Sequence, residues 1–331
     1  MNGLLEEVSR SFYLTVRVLP GCVRPQIGLA YLLARASDTI VDTEALPVER
    51  RLDALESLRG RILGKSWLSL DLTPLIEVRT KLASLSEQTL LKRIEEALQI
   101  LSTFAPADRE RIRRVLSTIM SGQELDLRRF AGANESHIVA LQSAAELDDY
   151  TYRVAGCVGE FWTELCRAHL FPEASVDENW LRGHGVRFGK GLQLVNILRD
   201  LPADLRLGRC YVPVDALASY GLTPADLLES ANEPRFRELY HGHLNWAEAH
   251  LKAGWEYTNA LPFRQVRLRL ACAWPVLIGA ATLKELASGN VLDATSRIKV
   301  SRANVKRLIL QSVIRYPWRR RWRELFSVAR S

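Results

Sequence analysis

The stretch GKGLQLVNILRDLPADLRLGRCYVP, residues 189–213, combines apolar and polar positions in a helical rhythm. Five of its residues recur at spacings of three or four and so share one helix face: Gly189, Gln193, Asn196, Asp200 and Asp204. Leu, Val and Ile hold nine of the twenty other positions, which predicts a largely buried helix. A carboxylate on a buried helix lowers the stability of the fold unless a cation or a hydrogen-bond donor compensates its charge. Pro202 predicts that the helix kinks or ends before Asp204.

A second polar stripe lies earlier in the chain, in the apolar run ARASDTIVDT at residues 34–43. This run and the residues just before it place four polar side chains on one helix face: Tyr31, Arg35, Asp38 and Asp42. Each stripe therefore carries two carboxylates four residues apart. We expect the two helices to face each other across a cavity.

The oxygen atoms of the two stripes suit a magnesium ion. The candidate ligands are four carboxylates and one amide: Asp38, Asp42, Asp200, Asp204 and Asn196. Mg²⁺ commonly completes its shell with water and substrate phosphates. Arg35, Arg199 and Arg209 lie nearby in sequence and favour a diphosphate, which a guanidinium binds through paired hydrogen bonds. The alternative is that the acids are surface residues paired with Arg35 and Arg199.

A third helical stretch, YTYRVAGCVGEFW at residues 150–162, brings a phenol beside an apolar stripe. The stripe continues from Tyr150 through three further residues: Val154, Cys157 and Phe161. Gly156 and Gly159 leave room for close approach of a neighbouring helix or a ligand. Core packing and a substrate wall both remain open for the apolar members, whereas Tyr150 is a candidate catalytic residue.

The rest of the chain is predicted to be helical. Amphipathic periodicity covers ten segments: 25–43, 49–64, 84–104, 107–130, 137–170, 181–204, 223–231, 233–259, 264–288 and 301–315. We expect one all-α catalytic domain over residues 1–296 and a basic helical tail over residues 297–331. The start of the chain does not resemble a secretory signal, and the five cysteines lack CxxC spacing. These features favour a cytoplasmic location.

Positive charge is concentrated in the tail. The net charge is +7, yet residues 297–331 hold eleven basic residues and one acid, so the remaining 296 residues sum to −3. This distribution argues against binding of nucleic acid and favours a local contact with an anionic surface. After Pro317, five apolar residues share one helix face: Trp318, Trp322, Leu325, Phe326 and Ala329. We expect peripheral contact with an anionic membrane, the alternative being a tail that folds back on its own body.

Four stretches together resemble the squalene/phytoene synthase family of head-to-head prenyl transferases. They are SRSFYLTVRVLP (9–20), YLLARASDTIVDT (31–43), YTYRVAGCVGEFW (150–162) and GLQLVNILRDLPADLRLGRCYVP (191–213), with a weaker match at ACAWPVLIGAATL (271–283). They occur in the family's order, and the likeness is greatest to bacterial members that make squalene. The resemblance implies an all-α isoprenoid-synthase fold around a central apolar cavity.

The resemblance also implies roles for individual residues. Asp38 and Asp42 match the family's first metal-binding pair, and Asn196, Asp200 and Asp204 match the second set. Ten residues match positions that contact the substrate or its diphosphate: Ser9, Arg10, Ser11, Phe12, Tyr31, Arg35, Gln193, Asn196, Arg199 and Arg209. Tyr150 matches the family tyrosine implicated in proton handling.

The implied reaction is a Mg²⁺-dependent condensation of two farnesyl diphosphates to presqualene diphosphate, followed by reduction with NADPH to squalene. Four cations are candidates to receive the phosphates of NADPH: Arg10, Arg209, Lys299 and Arg302. Without the reduction, the family's condensation yields dehydrosqualene or phytoene, or stops at presqualene diphosphate or hydroxysqualene. A terpene cyclase is disfavoured because its second metal motif is usually an Asn/Ser/Glu triad. A non-catalytic scaffold does not explain two matched acidic stripes.

Overall fold

The computed structural model describes residues 12–82, 85–295 and 298–330, and within these ranges the chain is almost entirely helical. The helices in chain order are α1 (Phe12–Val18), α2 (Arg24–Val41), α3 (Val48–Leu63), α4 (Thr73–Leu82), α5 (Leu85–Lys92), α6 (Ile94–Thr103), α7 (Pro106–Arg129), α8 (Ala144–Thr151), α9 (Cys157–Leu170), α10 (Glu178–Arg206), α11 (Val214–Ala218), α12 (Glu233–Ala260), α13 (Val266–Ser288), α14 (Arg302–Arg315), α15 (Arg319–Arg323) and α16 (Leu325–Arg330). A π-helical turn, Tyr152–Gly156, joins α8 to α9. The strands are β1 (Val139–Ala140) and β2 (Arg209–Cys210).

The chain divides into two compact units. Unit 1 comprises Met1–Ala131 and Phe161–Glu173, and unit 2 comprises Gly132–Glu160 and Ala174–Ser331. Each unit contains one of the two helices that carry an acidic stripe. The prediction of one catalytic domain over residues 1–296, followed by a tail, stays a prediction.

In unit 1 the acidic stripe belongs to α2. This helix has Pro25 in its first turn, where a missing backbone N–H costs little. Ile27, Leu33 and Ile40 are buried along its inner face, which packs on α3 and α7. Burial of this face fixes the rotation of the helix and leaves the polar stripe partly accessible.

In unit 2 the acidic stripe belongs to α10, which packs along α12 and α13. The Asp177 side chain caps α10 by accepting from the Trp180 backbone N–H at 2.8 Å. Glycines permit close packing: a Cβ on Gly159 would lie 1.8 Å from the carbonyl oxygen of Gly185. The helices can therefore approach at backbone distance only because these positions lack side chains.

A short parallel ladder follows the C-terminus of α10. Val139 pairs with Arg209, and Ala140 pairs with Cys210. The Leu141 backbone N–H donates to the carbonyl oxygen of Cys210 at 3.1 Å. The ladder fixes the segment that carries Arg209 and the residue after β2, Tyr211.

The all-α fold class is confirmed, but three predicted helices differ in detail. The segment predicted at 84–104 breaks at Arg93, whose φ and ψ of −102° and 14° leave the helical region. The segment predicted at 137–170 starts as a strand and becomes helical only after Ser143, whose side chain caps α8. The segment predicted at 223–231 forms 3₁₀ turns. These breaks follow from caps and turns that hydrophobic periodicity does not reveal.

The C-terminal tail packs on the rest of unit 2, as the fold-back alternative predicts. Trp322, Leu325, Phe326 and Ala329 are buried, and the Trp322 ring stacks on Trp255 with centroids 5.3 Å apart. The expected continuous helix after Pro317 is instead two short helices, α15 and α16. The face that we expected to meet a membrane is therefore largely occupied by the protein itself.

One helix among the described residues, α13, is long and apolar enough to cross a membrane. Within its most apolar window, 72% is buried inside the protein. Such burial is typical of a core helix, so length and composition alone are weak evidence for a membrane span.

Candidate active site

In unit 1 the polar stripe of α2 meets one side chain from each of two other helices. Arg35 Nη2 donates to Glu87 Oε1 of α5 at 2.6 Å, and Arg35 Nη1 lies 3.9 Å from Asp38 Oδ2. Gln123 of α7 donates from Nε2 to Asp38 Oδ1 at 2.6 Å. These contacts hold the guanidinium and the first carboxylate of the stripe in place.

The Asp38 carboxylate has a strongly perturbed pKa. Burial, followed by repulsion from Asp42, raises the pKa of Asp38 to about 6 against the opposing effects of Arg35 and Gln123. The side chain still exposes 46% of its surface, so protein crowds the carboxylate on one side and solvent reaches it from the other. A cation on the open side would offset the repulsion and favour the ionised form.

In unit 2 the polar stripe of α10 lies on the accessible side of that helix. Arg199 binds Asp200 through two hydrogen bonds, with Nε 3.0 Å from Oδ1. Asn196 is exposed, and Asp204 is half-buried. The prediction that the helix ends at Pro202 is wrong, because α10 remains helical to Arg206. A kink at Pro202 stays a prediction. Asp200 and Asp204 therefore stay on one face of a single helix.

Tyr150, near the end of α8, belongs to a pair of phenols. Its ring stacks on Tyr211 with centroids 4.8 Å apart and an interplanar angle of 22°. The two hydroxyl oxygens lie 3.4 Å apart, and both side chains are buried. The π-helical turn that follows is a feature found frequently at functional sites. The proton-handling role of Tyr150 stays a prediction.

The π-helical turn after Tyr150, Tyr152–Gly156, packs against α10 within unit 2. A Cβ on Gly189 would lie 2.1 Å from the carbonyl oxygen of Ala155, so a helix rather than a ligand fills this space. Burial raises the pKa of the Cys157 thiol to about 12, which leaves it protonated and unreactive. Lys190 of α10 donates to Asp148 of α8 at 2.6 Å and ties the two helices together.

A family profile described as squalene/phytoene synthase matches residues 5–304. The chain belongs to the squalene/phytoene synthase family. A bifunctional lycopene cyclase/phytoene synthase of Colletotrichum graminicola is 32% identical over 232 residues, which cover 69% of this chain and 36% of that protein. Botryococcus squalene synthase of Botryococcus braunii is 26% identical over 289 residues, which cover 85% of this chain and 56% of that protein. The chain thus spans only part of the length of these curated relatives.

Solved structures share the fold of this squalene/phytoene synthase family member. A ligand complex of TcSQS has a TM-score of 0.79 at 21% identity, covering 99% of this chain and 89% of that one. A dehydrosqualene synthase in complex with ligand has a TM-score of 0.65 at 19% identity, with coverages of 96% and 94%. Squalene synthase HpnC from Alicyclobacillus acidocaldarius has a TM-score of 0.58 at 18% identity, with coverages of 86% and 92%. These likenesses confirm the isoprenoid-synthase fold.

Among the predicted family residues whose side chains the structure describes, most lie on the two stripes. Unit 1 holds Tyr31, Arg35, Asp38 and Asp42, and unit 2 holds Tyr150, Gln193, Asn196, Arg199, Asp200, Asp204, Arg209, Lys299 and Arg302. Lys299 and Arg302 are exposed at the start of the tail, whereas Arg209 is half-buried in β2. Ser9, Arg10 and Ser11, with the side chain of Phe12, lie outside the described residues. The functional roles of all these residues stay predictions.

Sequence reasoning did not identify three site residues: Glu87, Gln123 and Tyr211. Gln123 could have been found, because it lies at helical spacing between Met120 and Leu127 on an otherwise apolar face. Tyr211 lies inside the quoted motif of residues 189–213 and is its only phenol. No local signal marks Glu87, which meets Arg35 from a position 52 residues away.

The carboxylate pairs fit the way in which proteins bind magnesium. Among the described residues, no group of three or more His, Cys, Asp or Glu side chains is arranged to hold a metal ion. Mg²⁺ is often held by one or two carboxylates, with water and substrate phosphates as the other ligands. The Asp38–Asp42 and Asp200–Asp204 pairs each meet that need. Because the Arg199–Asp200 pair also fits the surface ion-pair alternative, the metal assignment stays a prediction.

Proposed function

We propose that this protein condenses two prenyl diphosphates head to head in a magnesium-dependent reaction. The main support is the pair of acidic helix stripes that this family member carries on α2 and α10. In each stripe, one carboxylate is in contact with an arginine. Mg²⁺ bound to these carboxylates would neutralise a diphosphate and assist its departure as a leaving group. The proposed ligands are Asp38 and Asp42 in unit 1, and Asn196, Asp200 and Asp204 in unit 2.

The arginines are proposed to stabilise the negative charge of the departing diphosphate together with Mg²⁺. Loss of diphosphate from an allylic chain leaves a carbocation and a polyanion, and fixed cations stabilise the polyanion as it forms. Arg35 and Arg199 each hold a carboxylate partner, so their guanidinium groups are oriented before substrate arrives. We assign both to diphosphate binding, with Arg209 and Tyr31 as further contacts.

Tyr150 is the proposed residue for proton handling. Condensation requires a proton to leave the first coupling product, and a group that accepts it must lie within hydrogen-bond reach. The Tyr150 hydroxyl lies 3.4 Å from that of Tyr211, so one phenol could accept the proton while it passes its own proton to the other, with the released diphosphate as the final acceptor. The released diphosphate is the alternative base.

The proposed substrate is farnesyl diphosphate, and the proposed product is squalene. Reduction requires a hydride donor, for which NADPH is the candidate, with Arg10, Arg209, Lys299 and Arg302 proposed to meet its phosphates. The relatives include both phytoene synthases and a squalene synthase. Dehydrosqualene or phytoene synthesis, without reduction, is therefore the second candidate, with arrest at presqualene diphosphate or hydroxysqualene as a further variant.

Product analysis with and without NADPH separates these candidates. We expect farnesyl diphosphate, Mg²⁺ and NADPH to give squalene, and omission of NADPH to give presqualene diphosphate or its dehydrosqualene and hydroxylated descendants. An identical product in both reactions would show that the reductive step is absent and would support the second candidate. Parallel reactions with geranylgeranyl diphosphate would show whether the chain prefers C20 substrates and makes phytoene.

We place a peripheral membrane contact on the exposed face of α14 rather than on the buried face of the tail. On α14, Leu310, Val313 and Ile314 are 59%, 48% and 55% exposed, and Trp318, three residues after the helix ends, is 54% exposed. Exposed basic residues flank them: Arg302, Lys306, Arg307, Arg319, Arg320 and Arg321. No acidic residue occurs between residues 302 and 323. Exposed apolar side chains in a stretch rich in cations suit an anionic lipid surface, where a hydrocarbon product would also partition.

A further inference from the structure

The helix α10 passes through a proline without ending. It extends from Glu178 to Arg206 and contains Pro202. Because proline has no backbone N–H, it cannot donate to the carbonyl four residues earlier, which is that of Leu198. Leu198 is buried, and a buried carbonyl that lacks its helical donor lowers stability unless another donor reaches it.

A side chain from α12 supplies that donor. The Tyr240 hydroxyl donates to the carbonyl oxygen of Leu198 at 3.0 Å. Tyr240 has no exposed surface, and its ring is held against Phe236 with centroids 5.5 Å apart. Burial raises the pKa of Tyr240 above its usual value, so the hydroxyl keeps its proton.

The position of this hydrogen bond connects it to the acidic stripe. Leu198 lies two residues before Asp200, and Pro202 lies midway between Asp200 and Asp204. A bend at Pro202 would rotate Asp204 away from the face that carries Asp200. We infer that Tyr240 is a positioning residue, whose hydroxyl replaces the donor missing at Pro202 and so keeps Asp200 and Asp204 on one helix face.

The alternative is that Tyr240 is an ordinary buried phenol that found a convenient acceptor. The two interpretations differ in how Tyr240 and Pro202 depend on each other. If the hydroxyl compensates for the proline, the substitution Pro202→Ala makes it unnecessary, because the alanine N–H can donate to Leu198. If the Tyr240 hydroxyl does not compensate for the proline, its removal should lower stability by the same amount whether residue 202 is proline or alanine.

A double-mutant cycle tests this dependence. Four proteins are compared: wild type, Tyr240→Phe, Pro202→Ala and Tyr240→Phe/Pro202→Ala. We expect Tyr240→Phe to lower the melting temperature measurably in the wild-type background and to leave it nearly unchanged in the Pro202→Ala background. An equal loss in both backgrounds would overturn the inference. If Tyr240→Phe fails to fold alone, folding of the double variant supports the inference, and failure of both contradicts it.

Tyr316 offers a matched control within unit 2. It is also a buried tyrosine whose hydroxyl donates to a backbone carbonyl, that of Phe263, at 2.6 Å. No proline lies four residues after Phe263, where Arg267 stands. Tyr316→Phe is therefore expected to lower the melting temperature by the same amount in the wild-type and Pro202→Ala backgrounds. Coupling of Tyr316 to position 202 would show that the cycle reports general instability.

Metal binding provides the second readout, and this part rests on the proposed function. Binding of Mn²⁺, a paramagnetic substitute for Mg²⁺, is titrated in the presence of inorganic diphosphate. We expect Tyr240→Phe to weaken binding by about tenfold and Pro202→Ala to restore it in the double variant. Unchanged binding in Tyr240→Phe would refute the positioning role. Absence of Mn²⁺ binding in wild type, with the stability coupling intact, would instead reject the proposed metal site.

Discussion

At the scale of single residues, the two acidic pairs carry the proposed chemistry. Asp38→Asn and Asp200→Asn should each lower turnover of farnesyl diphosphate by several orders of magnitude, because each removes a proposed Mg²⁺ ligand. Asp38→Asn should still fold, since it relieves the repulsion from Asp42 that contributes to its raised pKa. The measurement is steady-state turnover beside circular dichroism.

The control for this pair of substitutions is Asp53→Asn. Asp53 is an exposed carboxylate on α3, within unit 1, and is not one of the polar stripe residues of α2. It should retain wild-type turnover. Full activity in a folded Asp38→Asn or Asp200→Asn protein would remove that residue from the metal site.

Gln123 allows a test of how Asp38 is oriented as a proposed Mg²⁺ ligand. Its amide holds Asp38 Oδ1 at 2.6 Å and is the only donor from α7 identified at that carboxylate among the described residues. Gln123→Ala should raise the Mg²⁺ concentration for half-maximal activity by about tenfold, because groups that orient a metal ligand typically change affinity by that factor. Mg²⁺ titration of turnover measures the effect. An unchanged half-saturation concentration would show that Gln123 does not orient the ligand.

At the scale of helices, unit 1 depends on a buried acid that joins three of them. Asp108 of α7 is 3% exposed and accepts from Gln26 of α2 at 3.1 Å, from Arg111 at 2.8 Å and from His169 of α9 at 2.8 Å. Asp108→Ala should lower the free energy of unfolding by about 2 kcal/mol or more, since bonds to a buried charge are lost. Urea unfolding monitored by circular dichroism measures this change.

The stability lost in Asp108→Ala should decrease as the pH falls. Burial opposes ionisation of Asp108, but bonds from His169 and Gln26 outweigh it and lower its pKa below the usual value. A lowered pKa in the folded state contributes stability above about pH 4, which is lost as the pH falls through the folded pKa. The gap between wild type and Asp108→Ala should therefore be full at neutral pH and shrink under acid. A gap independent of pH would contradict this origin.

Elements differ in how far sequence predicts them. The helices α2, α7, α12 and α13 follow from apolar periodicity, as do the acidic stripes that lie on α2 and α10. The persistence of α10 through Pro202 could not be predicted, because the compensating hydroxyl of Tyr240 lies 42 residues from Leu198 in sequence. The pairing of Gln123 with Asp38 spans 85 residues. Local pattern fixes which face is polar, whereas tertiary contacts decide what each polar group meets.

At the scale of the whole molecule, the proposed membrane contact lies on the exposed face of α14 in the tail. Truncation at Pro317 would remove buried residues such as Trp322, so surface substitutions on α14 are the better test. Leu310→Ser/Ile314→Ser should weaken binding to phosphatidylglycerol vesicles by about tenfold or more, because two exposed apolar anchors are lost. Cosedimentation measures the effect, and binding of wild type should decrease as salt rises.

The control substitution is Tyr220→Ser, which removes an exposed aromatic side chain of unit 2 outside the tail. It should bind vesicles as wild type does. Equal binding by the α14 double variant would move the membrane contact elsewhere. Equal binding to vesicles of phosphatidylcholine alone would show that anionic lipid is not required.

The most direct test of the central claim is the carbon count of the first product. Purified protein is incubated with radiolabelled farnesyl diphosphate and Mg²⁺ without NADPH. The products are separated, and their molecular masses are determined by mass spectrometry. The proposed condensation predicts a C30 diphosphate, presqualene diphosphate, or its C30 descendants. The contradicting result is a reaction that consumes the substrate but yields only C15 products, whether farnesol or cyclised hydrocarbons. Such products would rule out head-to-head condensation and indicate a cyclase or a simple hydrolase.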